Sequence, residues 1–261
     1  MPDCMICGIC QTESAHFGQA LVLDKYQVQY FRCPKCGFIQ TERPYWLAEA
    51  YTEALVAADV GIMQRNLQTS AVTSAVISLL FPTGKRFLDY GGGHGTFVRL
   101  MRDRGFNFFW QDMYAKNIHA RTFEHDPEAH YDLVTAFELM EHLPDPVEGI
   151  ARVFALSDDV LTTTLLVPDP PPAPPNWWYY VVRGGQHVSF YTPAALRQLA
   201  RQFDRHVSSS NGFHLFTREP VSAFKLRLAT GSRTGTLINR LRRRKSLIPS
   251  DFEAISGTPL G

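Results

Sequence analysis

The sequence predicts an α/β fold, a parallel sheet with helices on both faces, preceded by a small cysteine-rich module. Three observations predict it. Short β-branched segments alternate with helical spacings between residues 62 and 217, and such alternation is typical of a parallel α/β domain. A glycine-rich turn joins a predicted strand to a predicted helix near residue 91. All five cysteines lie within the first 36 residues, which sets the N-terminal part apart from the rest.

The composition excludes several classes of protein. Hydrophobic residues make up 45% of the 261 residues and charged residues 20%, which is ordinary for a globular chain and excludes disorder and coiled coil. No run approaches the roughly 20 apolar residues of a membrane span. The N-terminus lacks a basic and then apolar leader, so we expect a cytoplasmic protein. A net charge of +1 argues against a protein built mainly to bind nucleic acid.

The cysteines form two C-x2-C pairs, each followed by glycine. Cys4, Cys7, Cys33 and Cys36 would complete a tetrahedral S4 site, and we expect them to bind Zn²⁺ in a zinc ribbon. Paired knuckles of this kind also bind iron, which is the alternative ion. Cys10 stands three residues after Cys7, so a Cys7/Cys10 pair is the alternative ligand set.

The chain divides into four parts. We expect the zinc ribbon over 1–45, a helical connector over 46–61, the α/β domain over 62–217 and a basic C-terminal tail over 218–261. From 218 to 245 the tail has nine lysines and arginines against one acidic residue. A solvated basic helix is the simplest interpretation, and a weak contact with a membrane surface or a polyanion is the alternative.

The elements of the predicted domain follow from spacing and from turn residues. Asn211-Gly212 favours a tight hairpin, and Thr192 followed by Pro193 is typical of a helix start. The predicted ribbon strands are 20–24 and 26–32, and the predicted domain strands are 86–90, 107–112, 131–137, 159–167 and the hairpin 205–217. The predicted helices are 62–81, 96–104, 115–121, 145–156 and 192–203.

The glycine-rich turn has the spacing G-x-G-x-G. Gly91, Gly93 and Gly95 follow a predicted strand, and Asp89 lies two residues before the first of them. Glycines there permit left-handed backbone and close approach of a ligand. The dinucleotide-binding fingerprint would need a glycine where this chain has Thr96.

At these residues the chain resembles the class I S-adenosylmethionine (SAM) methyltransferases, whose first motif is an acidic residue followed by G-x-G-x-G. Asp112 ends the second strand, where that family has an acidic residue on the ribose. Residues 131–146 resemble the family's fourth strand and its E-x-x-E-H-L loop. The resemblance covers about 62–217 and implies a SAM-dependent enzyme with the Rossmann-like class I methyltransferase sheet.

The resemblance implies contacts with SAM from Asp89, Gly91, Gly93, Gly95, Asp112, Met113, Phe137 and Glu138. Asp112 would accept both ribose hydroxyls, and Met113 would either cover the adenine or pack in the core. The backbone of Phe137 and Glu138 would face the methionine part. The contact with the adenine edge is expected near Phe123, Glu124 or Asp126.

Methyl transfer from a sulfonium is an in-line displacement that needs alignment and, for a hydroxyl or carbon acid, a base. His187, in the loop after the fifth strand, is the predicted base, with a purely structural role as the alternative. Glu141 and His142 are expected to be a capping and packing pair, with substrate contact as the alternative. His94 is expected only to fill the glycine loop.

An aromatic run, Trp177-Trp178-Tyr179-Tyr180, follows a proline-rich segment. It is predicted to form a lid and a wall for the substrate. Stacking on a sugar and packing on the zinc ribbon are the alternatives.

The paired knuckles and the segment 187–193 are similar to those of deoxysugar C-methyltransferases and their relatives in glycan biosynthesis. The resemblance implies a small-molecule acceptor, a sugar or a nucleotide-linked sugar. The near-neutral net charge argues against a nucleic-acid partner. Those C-methyltransferases have a further large C-terminal domain, which we do not expect in the 44 residues after 217, so O-methylation is expected at least as strongly as C-methylation. An RNA methyltransferase with a zinc module and a SAM-binding scaffold without turnover are the alternative functions.

Overall fold

The computed structural model describes residues 4–51 and 60–260. The strands are β1 (Cys4–Ile6), β2 (Glu13–Val22), β3 (Tyr26–Arg32), β4 (Ile39–Thr41), β5 (Phe87–Tyr90), β6 (Phe108–Gln111), β7 (Leu133–Phe137), β8 (Val160–Thr163), β9 (Ser189–Phe190), β10 (His206–Ser210) and β11 (Phe213–Thr217). The helices are α1 (Leu47–Ala50), α2 (Ile62–Leu80), α3 (Thr96–Asp103), α4 (Pro146–Phe154), α5 (Pro193–Gln202), α6 (Ala223–Thr230), α7 (Ser232–Leu241) and α8 (Ile248–Ser256).

The larger sheet has the strand order β10-β11-β8-β7-β5-β6. Strands β5 to β8 are parallel, and β11 is antiparallel to both of its neighbours. Leu88 and Val134 face a core shared with α4 and α5, whereas the adjacent Phe87 and Leu133 face a core shared with α2, α3 and α6. Because successive strand residues point to opposite faces, helices cover both sides. The predicted α/β class is confirmed.

The N-terminal sheet has the order β1-β2-β3-β4-β9 and is antiparallel. Its last strand, β9, comes from the loop after β8, so the N-terminal module and the α/β domain share one sheet. The cysteine region also packs directly on the larger domain: Cys7, Cys33 and Cys36 are buried in the same core as Leu196 and Leu199 of α5.

The hairpin around Asn211-Gly212 forms as predicted, with φ of 51° and 80° at its two turn residues. The predicted helix over 115–121 does not form. The reason is local competition: the Asn117 side chain binds both backbone groups of Ala120, and the N–H groups of Ile118 and His119 donate to the His94 carbonyl. These bonds hold the segment as a loop against the glycine turn.

The C-terminal part, expected as a basic tail, folds onto the domain as α6, α7 and α8. Leu226 and Ala229 of α6 are buried in the core with α2. The backbone carbonyl of Ser78 accepts from Arg242, and the Arg244 guanidinium lies 4.4 Å from the Phe106 ring centroid. Part of the basic charge is therefore used inside the fold.

The predicted helical connector 46–61 is described only in part. It contains α1 and, just before α2, residues 60 and 61, whereas residues 52–59 lie outside the described residues. Within 4–51 and 60–260, no helix is both long enough and apolar enough to cross a membrane.

Candidate functional site

A cavity of about 1530 Å³ opens at the carboxyl ends of the parallel strands. The turns after β5, β6, β7 and β8 all contribute to its wall, through Gly91, Asp112, Glu138 and Thr164. This edge of an open parallel sheet is where ligands bind in α/β domains. The sequence placed the predicted cofactor residues on these turns, and the structure brings most of them together.

The glycine turn lines this cavity with its backbone. Gly91 and Gly93 have φ of 73° and 53°, and a Cβ placed on Gly93 would meet no atom within 4 Å. Gly93 therefore presents bare backbone to the cavity. Gly95 does not line the cavity; a Cβ there would lie 2.7 Å from Asn117 Oδ1 and 3.1 Å from the Ala120 Cβ. Its predicted contact with SAM is corrected to a packing role at the start of α3.

The two predicted acidic residues occupy different environments. Asp112 accepts hydrogen bonds from the N–H groups of Gly93, Tyr114 and Ala115 at 2.7–2.9 Å while it lines the cavity, so it fixes the glycine turn to the turn after β6. Asp89 is buried and accepts from the Thr135 hydroxyl at 2.7 Å. Burial, with a smaller effect of the Asp112 charge, raises the pKa of Asp89 to about 7.

Met113, Phe137 and Glu138 also line the cavity. Met113 is 70% exposed, so the alternative that it packs in the core is excluded. The residues expected at the adenine edge lie elsewhere: Phe123 packs on the Arg102 guanidinium, and Glu124 accepts from the Asn117 amide. Neither of them, nor Asp126, lines the cavity.

One polar cluster lies at the cavity wall. Glu141, His142 and His187 each offer a ligand-type atom within 4.8 Å of the others. His142 lines the cavity, whereas His187 does not; its Nδ1 lies 2.7 Å from the Tyr179 carbonyl and its ring packs on His142 at 4.8 Å between centroids. The predicted base, His187, is thus corrected to a residue behind His142. For His142 the sequence favours packing, with substrate contact as the alternative.

Burial keeps both imidazoles neutral. It lowers the pKa of His142 to about 3, with a contribution from the neighbouring His187, and the pKa of His187 to about 4. Burial, and then the charge of Glu138, raises the pKa of Glu141 to about 8. Tyr179 donates to Glu141 Oε1 at 2.5 Å.

The N-terminal sheet positions this cluster. Val188 donates its N–H to the Glu141 carbonyl and accepts from the Thr41 N–H, and the Trp46 indole donates to the Gly185 carbonyl at 2.8 Å. The loop that carries His187 therefore leads directly into β9, the outer strand of the N-terminal sheet. The sequence signal for this pairing was only the short β-type run Ser189-Phe190.

The aromatic run does not form the predicted lid. Trp177, Tyr179 and Tyr180 are buried in a core with residues of the N-terminal sheet, such as Tyr30, and none of the run lines the cavity. Trp178 is exposed. The alternative, packing on the ribbon, describes the observed arrangement.

A second cluster contains four cysteines. The sulfurs of Cys7, Cys10, Cys33 and Cys36 all lie within 4.8 Å of one another. Cys7 and Cys36 are 3.7 Å apart, and Cys10 and Cys33 are 3.4 Å apart. These distances fit the edge of a tetrahedron of thiolates about 2.3 Å from a Zn²⁺ ion. Cys4 is exposed on β1, so the predicted ligand set is corrected by exchanging Cys4 for Cys10.

The backbone of the first knuckle explains why Cys10, and not Cys4, belongs to the cluster. Ile9 and Cys10 direct their N–H groups to the Cys7 sulfur at 3.4 and 3.5 Å, so Cys7 is the first residue of the knuckle and Cys10 the last. The Cys36 thiol, together with these N–H groups, lowers the pKa of Cys7 to about 5. Four sulfurs with no other donor type fit a closed structural zinc site.

A family model described as a methyltransferase domain matches residues 63–208. No curated protein matches the chain. Among solved structures, magnesium protoporphyrin IX methyltransferase (ChlM) from Synechocystis PCC 6803 with bound SAM is 13% identical, the match covering 68% of this chain and 95% of that one at a TM-score of 0.42. The plantazolicin methyltransferase BpumL in complex with a monoazolic desmethylPZN analog and SAH is 12% identical, and the match covers 75% of this chain and 87% of that one at a TM-score of 0.48. An O-methyltransferase family protein from Burkholderia thailandensis is 14% identical, and the match covers 68% of each chain at a TM-score of 0.43.

Proposed function

The chain belongs to the methyltransferase-domain family of enzymes, and from that premise we propose that it transfers the methyl group of SAM to a hydroxyl of a small molecule, a sugar or a nucleotide-linked sugar. The observation that carries the cofactor proposal is the glycine turn. Gly91 and Gly93 present left-handed backbone to the cavity, and Asp112 lies beside them on the same wall. In this proposal Asp112 binds the ribose, Met113 covers the adenine, and Phe137 and Glu138 face the methionine part.

The cavity has room for two ligands. Small-molecule pockets commonly enclose about 300–1000 Å³, and this one encloses about 1530 Å³. The acceptor would bind at the end formed by His142, beyond the turn that holds the sulfonium. In the reaction the acceptor oxygen bonds to the methyl carbon as the carbon–sulfur bond breaks. The electron pair of the broken carbon–sulfur bond goes to sulfur. The hydroxyl proton is lost beside the Glu141–His142–His187 cluster and passes to solvent in the cavity. His142 lines the cavity there, and His187 packs behind it.

A sugar acceptor suits the rest of the wall. Asn66, Gln68 and Thr69 supply amide and hydroxyl groups of the kind that bind sugar hydroxyls, and Arg65 and Arg152 supply guanidinium groups that suit the phosphates of a nucleotide-linked sugar.

We further propose that Cys7, Cys10, Cys33 and Cys36 bind Zn²⁺ with a structural role. The ion would hold the N-terminal sheet, and through β9 this sheet holds the loop of His187. We place the reaction in the cytoplasm, whose reducing conditions keep the four thiolates available to the metal.

The cofactor proposal is tested by calorimetric titration with S-adenosylhomocysteine. Asp112→Ala is expected to weaken binding by about 10- to 150-fold, because hydrogen bonds to a charged group contribute about 1.5–3 kcal/mol. Asp126→Ala is the matched control, since Asp126 is an exposed acid outside the cavity, and it is expected to bind like the parent protein. Equal affinities for Asp112→Ala and the parent protein would refute the ribose role.

The acceptor proposal is tested with SAM labelled in its methyl group and a panel of nucleotide-linked sugars, free sugars and RNA. We expect label in a nucleotide-linked sugar at an oxygen, assigned by mass spectrometry. Label in RNA would contradict the acceptor class, and a protein that binds S-adenosylhomocysteine but labels nothing in the panel would favour the scaffold.

A further inference from the structure

The Glu141–His142–His187 cluster has the composition of a metal site. It offers two imidazole nitrogens and one carboxylate, with the three ligand atoms within 4.8 Å of one another. Two histidines and one carboxylate with open positions are the donor set of many divalent transition-metal sites.

Glu141 is the strongest reason to expect a cation. Its side chain is fully buried, Oε1 accepts from Tyr179, and Oε2 has no partner among the described residues. Within the described part of the chain, no ion pair involves Glu141 or the nearby Glu138. A buried carboxylate oxygen without a partner is unfavourable unless a proton or a cation compensates it.

His187 is oriented as a metal-bound histidine is. It donates its Nδ1–H to the Tyr179 carbonyl, which leaves Nε2 unprotonated. Metal-bound histidines usually donate their other N–H to a backbone carbonyl or carboxylate in this way. The Nδ1 of His142 lies 3.0 Å from the Tyr51 hydroxyl.

We propose that Glu141, His142 and His187 bind one divalent transition-metal cation, distinct from the ion of the cysteine cluster. The cation takes the lone pair of His142 that the Tyr51 hydroxyl contacts and the vacant lone pairs of Glu141 Oε2. Because His142 lines the cavity, the remaining coordination positions face the acceptor. If the proposed function holds, the cation binds the acceptor hydroxyl and favours loss of its proton; binding of the cation itself does not depend on that function.

The test is titration of the zinc-loaded chain with Mn²⁺, followed by calorimetry and electron paramagnetic resonance. Mn²⁺ prefers oxygen and nitrogen ligands to thiolates, so zinc stays in the cysteine cluster. We expect one Mn²⁺ per chain in the parent protein. Glu141→Gln is expected to weaken this binding by at least about 100-fold, since loss of outer hydrogen-bonding partners alone weakens metal sites about 10- to 100-fold.

Glu148→Gln is the matched control, because Glu148 is an exposed carboxylate on the same cavity wall and is expected to leave Mn²⁺ affinity unchanged. His187→Asn is the second variant, should Glu141→Gln fail to fold, and is expected to lose Mn²⁺ binding likewise. A folded parent protein that binds neither Mn²⁺ nor Co²⁺ beyond its zinc would overturn the proposal, as would undiminished binding in the cluster variants. Titration of the same samples with S-adenosylhomocysteine measures cofactor binding, and so tests the proposed function separately from Mn²⁺ binding.

Discussion

Replacing Cys10 with serine is expected to release zinc from the N-terminal cluster and to destabilise the chain, whereas replacing Cys4 with serine is expected to do neither. Cys10 lies 3.4 Å from Cys33 within the four-sulfur cluster, and Cys4 lies on the exposed edge strand. Structural zinc contributes about 10–16 kcal/mol in small zinc modules, so loss of one thiolate removes a large part of that energy. Zinc content by mass spectrometry and thermal unfolding measure both effects.

The destabilisation is expected to extend beyond the N-terminal sheet. Cys7, Cys33 and Cys36 are buried in the same core as the helix α5, and Thr192 at the start of α5 donates to the Cys36 carbonyl at 2.5 Å. The Cys10→Ser protein should therefore unfold at a lower temperature as a whole. If Cys10→Ser retained zinc and Cys4→Ser lost it, the zinc ligands would be the set that the glycine spacing predicts, with Cys4 in place of Cys10.

Replacing Asp251 with alanine is expected to destabilise the chain by about 3–5 kcal/mol, because it leaves a buried guanidinium without its carboxylate. Asp251 accepts from Arg102 at 2.5 and 2.8 Å and from Arg99 at 2.9 Å, and both Asp251 and Arg102 are about 5% exposed. At about 2–4 °C per kcal/mol, the melting temperature should fall by roughly 10 °C. Chemical and thermal denaturation measure this change.

The matched control is Glu148→Ala, which removes a carboxylate from the exposed i,i+4 pair with Arg152 and is expected to leave the unfolding free energy nearly unchanged. Burial alone would raise the pKa of Asp251, but the hydrogen bonds from Arg102 and Arg99 outweigh it and lower that pKa below its usual value of 3.8. The contribution of the pair is thus present at neutral pH and is lost as the pH falls through this lowered pKa. Equal destabilisation by the two substitutions would mean that α8 does not dock through Asp251.

The Asp251 pair also shows what the charge pattern of the C-terminal segment leaves out. The run 240–245 is strongly basic, and charge counting treats such a run as solvated. The partners of the segment lie far away in sequence: Asp251 contacts Arg102, and Leu226 packs near α2. No local pattern reports pairings across such separations.

The arrangement of the cysteine cluster and of the histidines also depends on contacts between residues that are distant in sequence. A glycine after each knuckle favoured Cys4/Cys7, but the choice between Cys4 and Cys10 depends on which sulfur reaches Cys33 across the sheet. His187 had the right chemistry for a base and the right loop. Its distance from the cavity is decided by β9 pairing with β4 and by His142 lying in front of it.

The sequence by itself determined the alternation of strands and helices, the Asn211-Gly212 hairpin and the glycine turn beside Asp112. Each of these depends on local backbone preference and side-chain periodicity, which neighbouring residues specify without the rest of the chain. Only the tertiary structure decided the fourth sulfur, the imidazole at the cavity and the docking of α8. These depend on contacts between distant segments, whose free energy comes from burial and from pairing charges that meet only in the folded chain.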